Sequence, residues 1–224
     1  MKIGIGVTGC TRPEHVQTCV DEIKKHTQLD HKLVVMIDEK KKGVAWNKNQ
    51  CLEALKDCDY VFLFDDDCFP RAKGWETFFI EHSKRTGNQH FIYQHETLQV
   101  TQIKCVDDIA HYNNCNGCMM FFTRACLDCI GSFDESFGVY GFEHADMSVR
   151  ANLSGFTQAD FVCPIGASQY VYSLDLDNYI EYPIEHRPSL FPDEIAQAVK
   201  VSRERWVNKL NNELKPKQDE KDSN

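Results

Sequence analysis

YVFLFDDDCFP, residues 60–70, is the stretch whose reading decides the fold. Residues 60–64 are apolar or aromatic throughout, as in a strand buried on both faces, and the run ends abruptly in Asp65, Asp66 and Asp67. Adjacent carboxylates repel and raise one another's pKa, so gathering them at the end of a buried strand is costly. A divalent cation removes that cost. Hard oxygen donors suit Mg2+ or Mn2+, which take one or two carboxylates and complete their shell with water and substrate phosphates. An isolated acidic triplet reads equally as a solvated turn or a helix cap, so its surroundings must decide.

Upstream, residues 2–8 (KIGIGVT) read as a short buried strand, GCTRP as a turn, and residues 14–26 as an amphipathic helix. A second strand, KLVVMID, ends on Asp38. The turn EKKKG follows, and then a helix over residues 44–58. Downstream come a helix at 74–85, a strand at 90–96, a polar connection at 102–114, a strand at 117–122, a helix at 123–131, a turn at 132–141 and a helix at 143–155. Residues 174–192 carry three prolines and read as a loop, and Ser202 to Asn224 as a charged helix passing into a polar tail. Alternating strands and helices predict an α/β fold, a three-layer α/β/α sandwich with a mostly parallel central sheet. Ligands of such sheets sit beyond the carboxyl ends of the strands, where Asp38 and Asp65 to Asp67 fall.

The 224 residues suit one domain over 1–200, with halves at about 1–112 and 113–200, and a charged tail at 201–224. Hydrophobic residues at 42% and charged residues at 26% are ordinary for a globular protein. A net charge of -9 disfavours phosphate backbones and anionic membranes as partners, and Lys40 to Lys42 read as a solvated turn. No stretch approaches the roughly 20 apolar residues of a membrane span. MKIGIGVTGC reads as a strand, not a leader, so a soluble, cytoplasmic protein is expected. The 11 cysteines are odd in number and sit mostly in apolar segments, as in a reducing compartment. Cys115, Cys118, Cys126 and Cys129 form two Cys-x-x-Cys pairs, but only residues 119–125 separate them, and strand and helix patterns account for them without zinc.

The order of these segments resembles a GT-A glycosyltransferase of the large inverting family found in bacteria and phages. VTGCTRP is similar to that family's first strand and Asn-Arg-Pro turn, GVAWNKNQCLEAL to its Gly-x-x-x-Ala-Arg-Asn-x-Gly helix, and YVFLFDDDCFP to its metal-binding strand. NGCMMFFTRACLDCIGSFDESF resembles its strand, Arg, helix and Gly-Gly-Phe-Asp-Glu segment, and YGFEHADMSVRANLSGF its Gly-Glu-Asp-x-Asp-Leu-x-x-Arg helix. The resemblance covers about residues 3–160 in the right order. It implies transfer of a sugar from a nucleotide-sugar, with a UDP-sugar favoured, to a glycan or other hydroxyl acceptor, with inversion. A modified DNA base is a less favoured acceptor, given the acidic charge.

By the same resemblance Thr8, Thr11 and Arg12 line the nucleotide, Asp38 bonds the base or ribose, and Lys48 stands where the family has arginine, with Asn49 beside it. Asp65 and Asp66 face the ribose and diphosphate, Asp67 with Asp65 holds Mn2+ or Mg2+, and His186 completes the coordination shell. The family's base is the aspartate of Glu-Asp, and this chain has Glu143-His144 instead. Either can take a proton: histidine has an ordinary pKa of about 6.5. Asp146 is a candidate acceptor contact, though pairing with Arg150 four residues on explains it structurally. Of the aromatic residues, Tyr140 and Phe142 are placed to meet an acceptor, and Gly117 to admit one closely. Two rival readings are a nucleotidyltransferase, for which GCTRP is a poor phosphate loop, and a catalytically silent carbohydrate-binding homologue.

Overall fold

The computed structural model of the chain describes residues 1–94, 102–114, 116–174 and 193–214. In chain order these form β1 (Ile3–Gly9), α1 (Pro13–His26), β2 (His31–Ile37), α2 (Val44–Ala54), β3 (Tyr60–Asp65), β4 (Cys68–Pro70), α3 (Trp75–Thr86) and β5 (His90–Ile92). There follow β6 (Gln102–Val106), β7 (Ile109–Tyr112), β8 (Met119–Thr123), α4 (Arg124–Ile130), α5 (Glu143–Leu153), β9 (Phe161–Pro164), β10 (Val171–Ser173) and α6 (Asp193–Asn212).

The main sheet has the order β2-β1-β3-β8-β5. β1 is parallel to both β2 and β3, and β8 is the one reversed strand, antiparallel to β3 and β5. The sheet is therefore mostly parallel, as the sequence predicts. β1 shows why. Its Ile-Gly alternation puts Ile3, Ile5 and Val7 in the core, while a Cβ on Gly4 or Gly6 would come within 2.9 Å of Cys58 and Leu55 or 2.8 Å of Cys51. The glycines let α2 and the turn after it lie directly on the strand. On the other face Phe62 and Phe64 of β3 meet the ring of Trp75 edge-on at 4.6 and 5.3 Å, and Trp75 Nε1 donates to Thr27 Oγ1, fixing α1 and α3 together. α4 joins the α2 layer through Arg124, which donates to the Cys58 and Leu55 carbonyls.

There are two further small sheets: β4 with β10, beside α1, and β6-β7-β9, whose β9 lies against β5. The second departs from the sequence reading. Residues 102–114, expected as a polar connection, form a hairpin turning at Asp107 and Asp108, both with positive φ, and residues 161–164 add a strand the pattern did not reveal. The hairpin's outer strand is exposed, so it lacks the alternation that marks a half-buried strand. The acidic stretch also divides, Asp66 and Asp67 making the turn between β3 and β4. α6 begins at Asp193, upstream of the predicted start at Ser202. Among the described residues no helix is long and apolar enough to cross a membrane.

β5 is tied to α5 by a buried histidine. His90 is fully buried, stacks on Phe122 at 4.3 Å, and places Nδ1 2.9 Å from the Phe121 carbonyl and Nε2 2.8 Å from Ser148 Oγ. Burial pushes its pKa down to about 4. The unfolded chain takes up this proton near pH 6.5 while the folded chain resists it to about pH 4, so stability falls as pH drops through that window, by about 3 kcal/mol in all for this group. Urea unfolding of the wild type and His90→Gln between pH 4 and 7 should show a shallower pH dependence in the variant; parallel curves would remove His90 from the account.

Candidate active site

The carboxyl ends of β1, β2 and β3 meet at one corner, and the side chains there are held by one another. Thr8 Oγ1 donates to Asp65 Oδ1 at 3.0 Å and lies 3.2 Å from the Phe64 carbonyl. Asp66, nearly buried, receives the Arg12 guanidinium on both oxygens, and the same group reaches Asp67 Oδ2 at 3.1 Å. Burial first, and then the neighbouring Asp67, push the Asp66 carboxyl up to about 6 against the pull of Arg12. Asp38 closes the corner from β2. Its Oδ2 accepts from the Gly43 amide at 2.7 Å, while Oδ1 is buried without a hydrogen-bond partner. Thr11 is exposed in the turn before α1.

α2 supplies the polar groups beneath this corner. Asn47, which the sequence reading passed over, donates through Nδ2 to the Gly9 and Met36 carbonyls at 3.0 and 3.2 Å and so ties the ends of β1 and β2 together. Lys48 is 1% exposed. Its ammonium lies 2.8 Å from Asp65 Oδ1 and donates to the Gly117 carbonyl at 3.2 Å. Burial alone would strip its proton, but Asp65, with Glu143 further off, outweighs that and raises its pKa, so the lysine stays charged. Asn49 faces away from the corner. Both ends of its amide bond the backbone of Phe133, at 3.0 and 2.8 Å, and Nδ2 also reaches Glu135 Oε1 at 2.8 Å.

Gly117 carries the chain from that lysine to α5. Its φ is +68°, and a Cβ there would lie 2.4 Å from His144 Cγ, so backbone and imidazole are in direct contact. His144 Nδ1 is 3.3 Å from Glu143 Oε1, and Glu143 Oε2 accepts from the Gly141 amide at 2.8 Å. Burial opposes the charge on Glu143, yet the hydrogen bond to His144 and the field of Lys48 hold its carboxyl below the usual range. Glu143 and the His144 ring are thus joined at Nδ1. The two candidate bases therefore sit in contact at the start of α5.

The remaining candidates divide. Asp146 is fully buried; Arg150 Nε donates to its Oδ2 at 2.8 Å and Lys209 lies 2.7 Å from Oδ1, so its oxygens face cations of the protein. Phe142 caps α5 with φ +70° and stacks on Trp206 at 6.3 Å, while Tyr140 is exposed beside it. His186 lies outside the described residues, as does Cys115. Among the described residues no cluster of three or more His, Cys, Asp and Glu side chains is arranged to hold a metal ion. Asp65 and Asp67 nevertheless carry hard carboxylate oxygens of the kind that magnesium and manganese take.

No family model matches the chain. A fold of this kind, with carboxylates where the central strand ends, defines the GT-A class, and solved structures of that class superpose on the chain. S. aureus TarS 1–349 does so with a TM-score of 0.56 at 12% identity, over 81% of this chain and 63% of that one. Its complex with UDP-GlcNAc gives 0.57 at 12% identity, over 93% and 67%. The mannosyltransferase PcManGT from Pyrobaculum calidifontis, solved with GDP-Man and Mn2+, gives 0.51 at 12% identity, over 73% and 55%. The chain thus has a GT-A fold. In sequence it resembles the uncharacterized glycosyltransferase R363 of Acanthamoeba polyphaga mimivirus, at 30% identity over 128 residues covering 52% of this chain. The chain spans about half, 48%, of the length of that curated relative.

Two substitutions test the geometry without reference to activity. Lys48→Met leaves Asp65 without its buried cation and should cost about 3–5 kcal/mol in urea unfolding; a loss below about 1 kcal/mol would mean water already serves the carboxylate. Gly117→Ala must push the His144 ring aside and strain a positive φ, so a loss of about 1–3 kcal/mol is expected together with a shifted His144 NMR signal. An unmoved signal would separate the ring from the glycine.

Proposed function

We propose that this chain is a metal-dependent glycosyltransferase that moves a sugar from a nucleotide-sugar, with a UDP-sugar favoured, to the hydroxyl of a glycan or other acceptor, with inversion. The observation that carries the reading is the continuity of the site. Asp65 at the end of the central strand, buried Lys48, the Gly117 backbone and the Glu143-His144 pair form one connected line, from carboxylates suited to a diphosphate-bound cation to a base suited to an acceptor. The GT-A fold, the sequence likeness to R363, and the donors named with TarS and PcManGT support it.

In this reading Thr8, Thr11, Arg12, Asp38 and Asp66 receive the nucleotide, and the unpartnered Asp38 Oδ1 suits a hydrogen-bond donor of the base or ribose. Asp65 and Asp67 hold Mn2+ or Mg2+, which when bound offsets the charge on the leaving diphosphate. Lys48 opposes the burial that raises the pKa of Asp65 and aims its carboxyl. His144, beside Glu143, takes the proton of the acceptor hydroxyl as its oxygen bonds to the anomeric carbon. The bond from that carbon to the diphosphate breaks on the opposite face, and the nucleoside diphosphate carries the electron pair away. Glu143 stabilises the imidazolium so formed, as a carboxylate does for any histidine base.

Thermal-shift measurements with UDP and GDP, each with and without Mn2+, should give a rise in melting temperature that needs both the metal and one nucleotide. Asp67→Ala should abolish the metal-dependent part; an unaltered shift would reject the assigned ligand. His144→Ala should retain the nucleotide shift while release of nucleoside diphosphate in the presence of acceptor falls about 100- to 10,000-fold. Glu143→Gln should fall less. Full turnover in both variants would take the base away from α5.

A further inference from the structure

α6 packs on the segment that leads into α5, from a part of the chain whose pattern shows no sign of chemistry. Lys209 is nearly buried, and its ammonium lies 2.7 Å from Asp134 Oδ2 and 2.7 Å from Asp146 Oδ1. Asp146 lies in the first turn of α5, with Glu143. Asp134 caps the 3-10 turn Glu135–Phe137 in the segment that leads into that helix. Arg205 supports the arrangement from one turn earlier in α6, 3.1 Å from Asp134 Oδ2. Ser202 Oγ lies 2.7 Å from the Phe137 carbonyl and 2.9 Å from that of Tyr140, and Trp206 covers Phe142. Every one of these contacts falls between Asp134 and Asp146, and Glu143 and His144 are inside that interval.

Apolar contact would suffice to dock α6, since Trp206, Leu210 and Leu214 already pack on the core. Burying an ammonium between two carboxylates is different. Its desolvation offsets much of its attraction, and what such a group adds most reliably is one fixed geometry. Deepening the function proposed above, and resting on it for the word base, we infer that Lys209 is a positioning residue for the Glu143-His144 pair. By joining Asp134 to Asp146 it holds the first turn of α5 against the segment before it. The Gly141 amide thereby stays on Glu143 Oε2, and the His144 ring stays against Gly117.

The Gly141 amide gives a readout that needs no substrate. In the full chain, amide hydrogen exchange followed by NMR should show Lys209→Met accelerating exchange at Gly141 about tenfold, while the Asp65 amide, which donates to the Cys118 carbonyl at 2.8 Å, keeps its wild-type rate. Lys209→Arg should restore Gly141. Where Lys209→Met does not fold, the charge-balanced pair Lys209→Met/Asp134→Asn is measured in its place, with the same expectation. Wild-type exchange at Gly141 in a folded variant, or equal acceleration at Gly141 and Asp65, would overturn the inference and leave Lys209 a docking contact only. With donor, kcat should fall about tenfold with the KM for UDP-GlcNAc unchanged; a fall in donor affinity alone would count against positioning. Should the wild type show no Mn2+-dependent UDP binding, the proposed function fails, and the Gly141 measurement still decides the part played by Lys209.

Discussion

The buried ammonium of Lys48 is the constraint on which the rest of the site depends. A lysine that is 1% exposed survives as a cation only beside a fixed anion, and Asp65 is that anion at 2.8 Å. The dependence runs both ways, because Asp65 closes a strand whose preceding residues, Val61 to Phe64, are completely buried. The ammonium also donates to Gly117 and lies in the field of Glu143. One side chain therefore ties the strand end that would receive a donor to the helix that would receive an acceptor. No apolar residue could satisfy Asp65 and the Gly117 carbonyl together.

The charge balance around this lysine limits what ligand the corner could receive. Asp38, Asp65, Asp66 and Asp67 converge there, against Lys48 and Arg12. A diphosphate alone would add to an excess of negative charge; a diphosphate with a divalent cation would relieve it. Arg12 already bridges Asp66 and Asp67, which shows how strongly those oxygens draw a cation.

Much of this was legible in the sequence, because it rests on local patterns. The glycine alternation of β1, the apolar run of β3 and the aspartates at its end each carry their reading in consecutive residues. What was not legible depends on residues far apart in the chain. Asn47 joins β1 to β2 through two carbonyls, and no side-chain pattern announces a backbone acceptor. The hairpin at 102–112 was missed because its outer strand faces solvent. The left-handed backbone of Phe142 was equally hidden, since a bulky residue is the last choice for positive φ and is held there by Trp206, 64 residues on. Lys209 reads as one more surface charge until α6 is laid across α5.

That strained residue bears on the departure from the resembled family. Gly138, Gly141 and Phe142 all have positive φ, and the loop they shape is gripped by α2 through Asn49 and Val44 and by α6 through Ser202. Such a loop delivers the first residues of α5 at a fixed angle, at the positive end of the helix dipole, where an ionised Glu143 is favoured. An aspartate at position 144 would set a second carboxylate beside that buried one. A histidine there meets Glu143 through Nδ1 instead of repelling it. The loop, the buried glutamate and the glycine pressed on the ring therefore fix the surroundings of position 144, where the resembled family has aspartate and this chain has histidine.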